Sequence, residues 1–188
     1  MKRVVVLFLA LMLAGGLVFA GGRGEKVAEK EQYYWIASFA THPLFLTHDY
    51  PALKQEADYW GAEIHFLGPP ALDIETQNSM LEQTAAKKPN GILFMPFGEG
   101  HNVVIDQVID RGIPVVCIDG DAPNSQRLCY SGTDWVTLGR YQARVMADLL
   151  GGQGTVMLSA VLPNDNTLKA RRGIEEEREL ADGDAAGA

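Results

Sequence analysis

The feature that most limits what this chain can fold into is a recurring alternation. Apolar, aromatic or β-branched runs at Tyr33 to Ser38, Ala62 to Leu67, Gly91 to Met95 and Pro114 to Ile118 return at intervals of roughly 25 to 30 residues. They are too short for buried helices and apolar enough for strands. Between them, apolar residues fall at helical spacing: Ala52 to Trp60, then Ile74, Leu81 and Ala85, then Val104 with Val108 and Ile105 with Ile109. Each helical stretch stops at a breaker, Gly61, Pro89 or Gly112. Pro51 follows Asp49 where a helix would begin, and the first turn tolerates proline because its N–H has no intrahelical partner. This is the βαβ rhythm, and the fold class it predicts is α/β, a parallel sheet flanked by helices.

The rhythm continues less regularly. Arg127 to Ser131 is expected to form a fifth short strand after the loop Asp119 to Gln126. Asp134 is expected to cap a helix carrying Leu138, Tyr141, Val145 and Leu149 and ending at Gly151-Gly152. Thr155 to Ala160 reads as another strand and the stretch from Asn166 as a helix. Its glutamates, Glu175 to Glu177 and Glu179, read as a solvated face. Residues 182–188 carry no large apolar side chain and read as an unstructured tail. Trp60 reads as core or edge packing, and His65 and His101 are assigned no chemistry.

The amino terminus reads as an export signal. Lys2 and Arg3 precede an apolar run from Val4 to Ala14, and Val18-Phe19-Ala20 presents small residues where a signal peptidase cuts. The run is shorter than the roughly 20 apolar residues a membrane span needs, so cleavage after Ala20 and no stable membrane insertion are expected. Residues 21–32, rich in Gly and charge, read as a flexible leader. The formal net charge of −8 and the want of a basic stripe argue against nucleic acid as a partner. The two cysteines, Cys117 and Cys129, have no close His or Cys companions, so no metal site is expected. In an exported protein they are open to pairing or to remaining free thiols.

Parallel sheets bind ligands outside the carboxyl ends of their strands, so the loops after the strands are where function is sought. The loop Phe39 to Phe45 contains no glycine, and neither a dinucleotide nor a phosphate fingerprint is present, so no cofactor is expected. No nucleophile with a base in a suitable loop appears, and an enzyme is not expected. The loops offer carboxylates instead. Asp119 and Asp121, two residues apart after the fourth strand, can accept hydrogen bonds from the hydroxyls of a neutral polyol, or can simply turn the chain around Gly120. As loop residues they are expected to be replaceable with little loss of fold.

The stretch Asp119-Gly120-Asp121-Ala122-Pro123-Asn124-Ser125-Gln126-Arg127, followed by Tyr130-Ser131-Gly132-Thr133-Asp134, resembles the type I periplasmic binding proteins. Within them it is similar to the sugar-binding components of ABC transporters, and the similarity runs from Tyr33 to about Glu177. The resemblance implies two α/β lobes clamping a ligand between them. The first would occupy 33–132, with a hinge crossing near Gly132 to Trp135, and the second 133–181. That family completes its second lobe with more chain than follows here, so an incomplete second lobe, and weak binding by an open half-site, are expected.

By the same resemblance the ligand-binding residues would be His42 and Phe45 in the loop after the first strand, Asp119, Asp121, the hinge Asp134, Asn166 and, with a shift of one place, Arg171. Leu44 and Trp135 depart from the family pattern at stacking and polar positions. The implied function is periplasmic capture of a small hydroxylated ligand, a monosaccharide above all, for an ABC transporter permease. The alternatives are a sugar-sensing module for a chemoreceptor or histidine kinase, or a non-functional fragment.

Overall fold

The computed structural model describes residues 29–160 and 164–186. The export segment and the leader as far as residue 28 lie outside the described residues. Five strands form one parallel sheet: β1 (Gln32–Ile36), β2 (Glu63–Leu67), β3 (Gly91–Phe94), β4 (Val115–Ile118) and β5 (Cys129–Ser131), in the order β2-β1-β3-β4-β5. Tyr33 pairs with Ile64 on one side and Gly91 on the other. The winding reverses between β1 and β3, so the loops leaving these two strands diverge and open a crevice at their carboxyl ends.

Helices α1 (Tyr50–Trp60), α2 (Ile74–Ala86) and α3 (Asn102–Ile109) make the crossovers. A single π turn, Phe45–Asp49, runs directly into α1, so helical structure begins earlier than the apolar spacing predicts. Pro51 takes the first turn of α1, as expected, and Gly61 closes it in the left-handed conformation (φ 70°).

Successive residues of a strand point to opposite faces, and here both faces are covered. Ile36, Ile92, Phe94, Val115 and Cys117 pack under Leu81 and Ala85 of α2 and Ile105 and Val108 of α3. Trp35, Ile64 and Met95 face the other way, with Phe45 and the α1 residues Leu53 and Ala57. Neighbouring Trp35 and Ile36 are 1% and 0% exposed, which is why the strand runs are apolar throughout rather than alternating.

Both cysteines are free thiols. Cys129 pairs in register with Val116, and Cys117 with Tyr130. The two sulfurs therefore leave opposite faces of the sheet, and the pleat rules out a disulfide without rebuilding β5.

Several expectations are corrected beyond the sheet. Trp60 is not packed: as the last helical residue before Gly61 it is 72% exposed, edge-on to Tyr59 and donating from Nε1 to Glu56 Oε1 at 2.7 Å. Thr155 to Ala160 does not form a strand, because a strand needs a neighbouring ladder and none is available to it among the described residues; Met157 is 88% exposed.

Helices α4 (Trp135–Leu150) and α5 (Asp165–Ala186) pack on each other. Glu175, Glu176 and Glu177 are not merely a solvated face: Arg140 holds Glu176, Arg144 holds Glu177 at 2.6 Å and Arg171 holds Glu175 at 2.7 Å. Helix α5 also runs on to Ala186, through most of the segment expected to be unstructured. Extending a formed helix fixes one residue for one hydrogen bond, whereas nucleation is what short segments cannot sustain.

Candidate functional site

The β4–β5 loop is built by local chemistry. Asp119 has φ 58°, a left-handed conformation that Asp tolerates better than most residues. Its N–H still donates to Ser131 O at 3.0 Å, continuing the ladder with β5, while its carbonyl accepts from Tyr130 Oη at 3.0 Å and from Asn166 Nδ2 at 3.1 Å. A backbone held in a sparsely populated region by bonds on both sides marks the loop as a place where geometry is being imposed. Gly120 is required for space: a Cβ there would lie 2.1 Å from Pro96 O, so the β4 loop rests directly on the β3 loop.

Asp121 is not free for a ligand in the way its sequence position suggests. Arg127 Nε stands 2.5 Å from Oδ1, a charge contact off the hydrogen-bond axis, and Nη2 donates to Oδ2 at 3.1 Å. The two side chains are only 11% and 20% exposed. The pair is therefore a clamp across the loop, and the expectation that Asp121 is dispensable for the fold is corrected. Gln126 N–H, donating to Asp106 Oδ1 at 2.6 Å, ties the same loop to α3.

Asp121, Asn124 and Asp165 form one wall of an open cleft, and Glu99, His101 and Asn102 the other. Three of these six carry carboxylates, Asp121 paired with Arg127 and Asp165 with Lys169, and their remaining lone pairs offer acceptors to hydroxyl donors. The Asp119 carboxyl, two residues before Asp121, has its pKa raised, chiefly because surrounding protein displaces water and then because Asp49, at the end of the π turn, is also negative. Among the described residues no three His, Cys, Asp or Glu side chains gather closely enough to hold a metal ion.

The remaining predicted residues divide. Asn166 comes to the site through its bond to Asp119 O. His42 sits in an aromatic cluster with Phe39 and Phe45, its Nδ1 accepting from Leu44 N at 3.2 Å, so any ligand contact falls to Nε2. Phe45 is 8% exposed and packs edge-on to Trp35 at 5.5 Å, in the core rather than as an open stacking surface. Asp134 has both oxygens on Thr137, Oδ1 from the N–H at 3.0 Å and Oδ2 from the hydroxyl at 2.7 Å, as the cap of α4. Those bonds hold its carboxyl below the usual range. Arg171 is drawn to Glu175 along α5 and does not join the cleft.

A buried polar set beneath the site carried no assignment in the sequence. Gln77, 1% exposed on α2, donates to Ala37 O at 3.1 Å and Met95 O at 2.6 Å, bridging the carboxyl ends of β1 and β3. The signal that could have found it is its place four residues before Leu81, on the apolar face of α2. Beside it, Asn78 reaches His101.

The fold and the loops define a class: one parallel α/β lobe presenting a polar crevice at its strand ends. A family model described as periplasmic binding protein domain matches residues 33–182, and the chain belongs to that family. No curated protein sequence matches the chain. Among solved structures it is similar to a glucose-galactose binding protein from Geobacillus stearothermophilus, with 28% identity and a TM-score of 0.73 over 79% of this chain and 54% of that one.

It is also similar to an ABC transporter solute binding protein from Agrobacterium vitis bound with α-D-tagatopyranose, at 28% identity and TM-score 0.71 over 80% and 54%. A third is XylFII in its complex with LytSN, at 28% and 0.74 over 81% and 56%. The chain spans about half the length of each. The first two are binding proteins, and the parallel α/β architecture predicted from the sequence is common to them and this chain.

Proposed function

We propose that this chain is the sugar-capturing component of an ABC importer, exported to the periplasm and presenting a monosaccharide to a membrane permease. The observation that carries the proposal is the acceptor-rich cleft of Glu99, Asp121, Asn124 and Asp165 at the strand ends, in a chain of the periplasmic binding protein family. A neutral polyol supplies hydroxyl donors to those acceptors and can accept from the Asn102 and Asn124 amides. Asp119, Asn166 and His42 are assigned as further ligand contacts, while Phe45, Asp134 and Arg171 hold the surrounding structure. No helix among the described residues is long and apolar enough to cross a membrane.

The described residues offer one lobe and two helices, so binding is expected to be weak, with a dissociation constant on the order of 1 mM, equivalent to about 4 kcal/mol. Titration of 15N-labelled protein with D-glucose, D-galactose, D-tagatose, D-xylose and L-arabinose tests this. At least one sugar should shift the amides of Gly98–Asn102 and Asp119–Asn124 and few others. No shift with any of the five at saturating concentrations, or shifts scattered elsewhere, would overturn the proposal. A second reading, handing the sugar signal to a protein partner rather than a permease, is favoured by the similarity to XylFII in a protein complex. Growth on the bound sugar that survives deletion of the gene would support it.

A further inference from the structure

We propose that His101, with Asn78, is the positioning residue of the cleft: it closes the β3–α3 loop on itself and through that loop fixes the height of the wall bearing Asp119 and Asp121. The inference deepens the sugar-binding proposal and rests on it only for the ligand. His101 is 1% exposed, edge-on to Phe94 at 5.2 Å. Its Nε2 accepts from Phe97 N–H at 3.3 Å, and its Nδ1 stands 2.6 Å from Asn78 Oδ1. An acceptor at Nε2 and an amide oxygen at Nδ1 select one form, the neutral ring protonated on Nδ1.

Asn78 completes the closure by donating from Nδ2 to Gly100 O at 3.1 Å. Four residues of loop, Phe97 to Gly100, are thereby tied to Asn78 of α2, directly at Gly100 and through the His101 ring at Phe97. The Pro96 carbonyl just before them is the atom on which Gly120 rests, so a displacement of this loop moves the turn between Asp119 and Asp121.

The bond set works only while the ring is neutral. Burial holds the His101 pKa below its ordinary value of 6.5, and a second ring proton would point at the Phe97 N–H. From α2 the ring meets neutral Asn78, and from β3 the apolar Phe94. The charged groups around the cleft are Glu99 on its own loop, Asp121 held by Arg127, and Asp165 held by Lys169 at 2.6 Å. Asp119, on the turn above, has a raised pKa of its own, so the imidazole's part is the change on acidification that His101→Leu, which keeps every carboxylate, does not show. The sign follows. A base with a depressed folded pKa contributes fully above its unfolded value, and that contribution is lost as the pH falls towards the folded one.

The test is NMR of the whole chain with three variants, His101→Leu, His101→Gln and Asn78→Ala. Long-range proton–nitrogen spectra at pH 7.5 should show His101 protonated on Nδ1. The Phe97 amide should exchange slowly in the native protein and about 10-fold faster in His101→Leu, while amides of β1 and β3 keep their rates. His101→Gln, which can both accept and donate, should restore most of the protection. Amides of Asp119 to Asp121 should shift in His101→Leu although no substituted atom touches them. Acidifying the native protein through the depressed His101 pKa should lower the protection of the Phe97 amide towards that of His101→Leu, while in His101→Leu that protection should not change with pH.

The Nε2-protonated form, a Phe97 amide that exchanges as fast in the native protein as in His101→Leu, or protection lost equally across the sheet would each overturn the proposal. If a monosaccharide of the panel binds, its dissociation constant should rise about 3- to 10-fold in His101→Leu and the pH dependence should flatten. Should no sugar bind the native protein, the sugar-binding proposal fails, and tautomer and exchange still decide the role of His101.

Discussion

Replacing Asp121 by alanine leaves the Arg127 guanidinium in a site where it is only 20% exposed, with its partner gone. Removing one member of a buried ion pair costs about 3 to 5 kcal/mol, because the remaining charge is neither solvated nor paired. The partial access of Arg127 to water puts the expected loss at the lower end, about 3 kcal/mol. With a urea dependence of about 2 kcal/mol per molar, the unfolding midpoint should fall by about 1.5 M. Arg127→Met should destabilise to a similar degree. The double variant should lose less than the two single losses added, with a coupling of about 2 kcal/mol or more. Equilibrium urea unfolding followed by tryptophan fluorescence measures all three. A midpoint for Asp121→Ala within about 0.3 M of the native value, or additive single effects, would refute the view that this carboxylate holds the loop rather than reaching freely for a ligand.

Asp119 should behave in the opposite way. Its raised pKa means that ionised Asp119 disfavours the folded state, a burden present at neutral pH and relieved as the pH falls through the raised value. Asp119→Asn should therefore raise the melting temperature at pH 7 while weakening sugar binding about 10-fold, and a lower melting temperature would contradict the assignment. Asp134→Ala should lower helix content by circular dichroism. Because the pKa of Asp134 is depressed, its cap contributes above the ordinary carboxylate range and is lost as the pH drops through the depressed value, so native and variant melting curves should converge in acid. Gly139→Ala should cost about 1 to 3 kcal/mol, since its Cβ would lie 2.0 Å from Ala170 O and force α4 away from α5; an unchanged melt would show that the helices do not meet there. A thiol reagent should label Cys129 alone in the folded protein, because Cys117 is buried and its pKa is pushed up to about 11; denaturant should expose both.

What the amino-acid sequence determined by itself was the succession of elements and the end of the sheet that carries the site. Strand runs, helical spacing and breakers are properties of neighbours in the chain, so Tyr33 to Ser38, the α2 face at Leu81 and the turns at Gly61 and Gly112 were legible without coordinates. The motif around Asp119 carried the family for the same reason, being contiguous. The partner of each polar atom was decided only by tertiary structure. Asp121 and Arg127 are six residues apart, but nothing local says that they face each other with water excluded. Phe45 was expected at the ligand and belongs to the core because Trp35, on another element, lies behind it. Glu176 and Glu177 looked solvated until α4 brought Arg140 and Arg144 alongside, and Thr155 to Ala160 has strand composition without a strand to pair with. His101, to which the sequence assigned no chemistry, meets an asparagine 23 residues away. Local propensity is set by the chain's own backbone and nearest side chains, whereas burial, pairing and pKa depend on which distant groups remove the water, and only the packed fold specifies those.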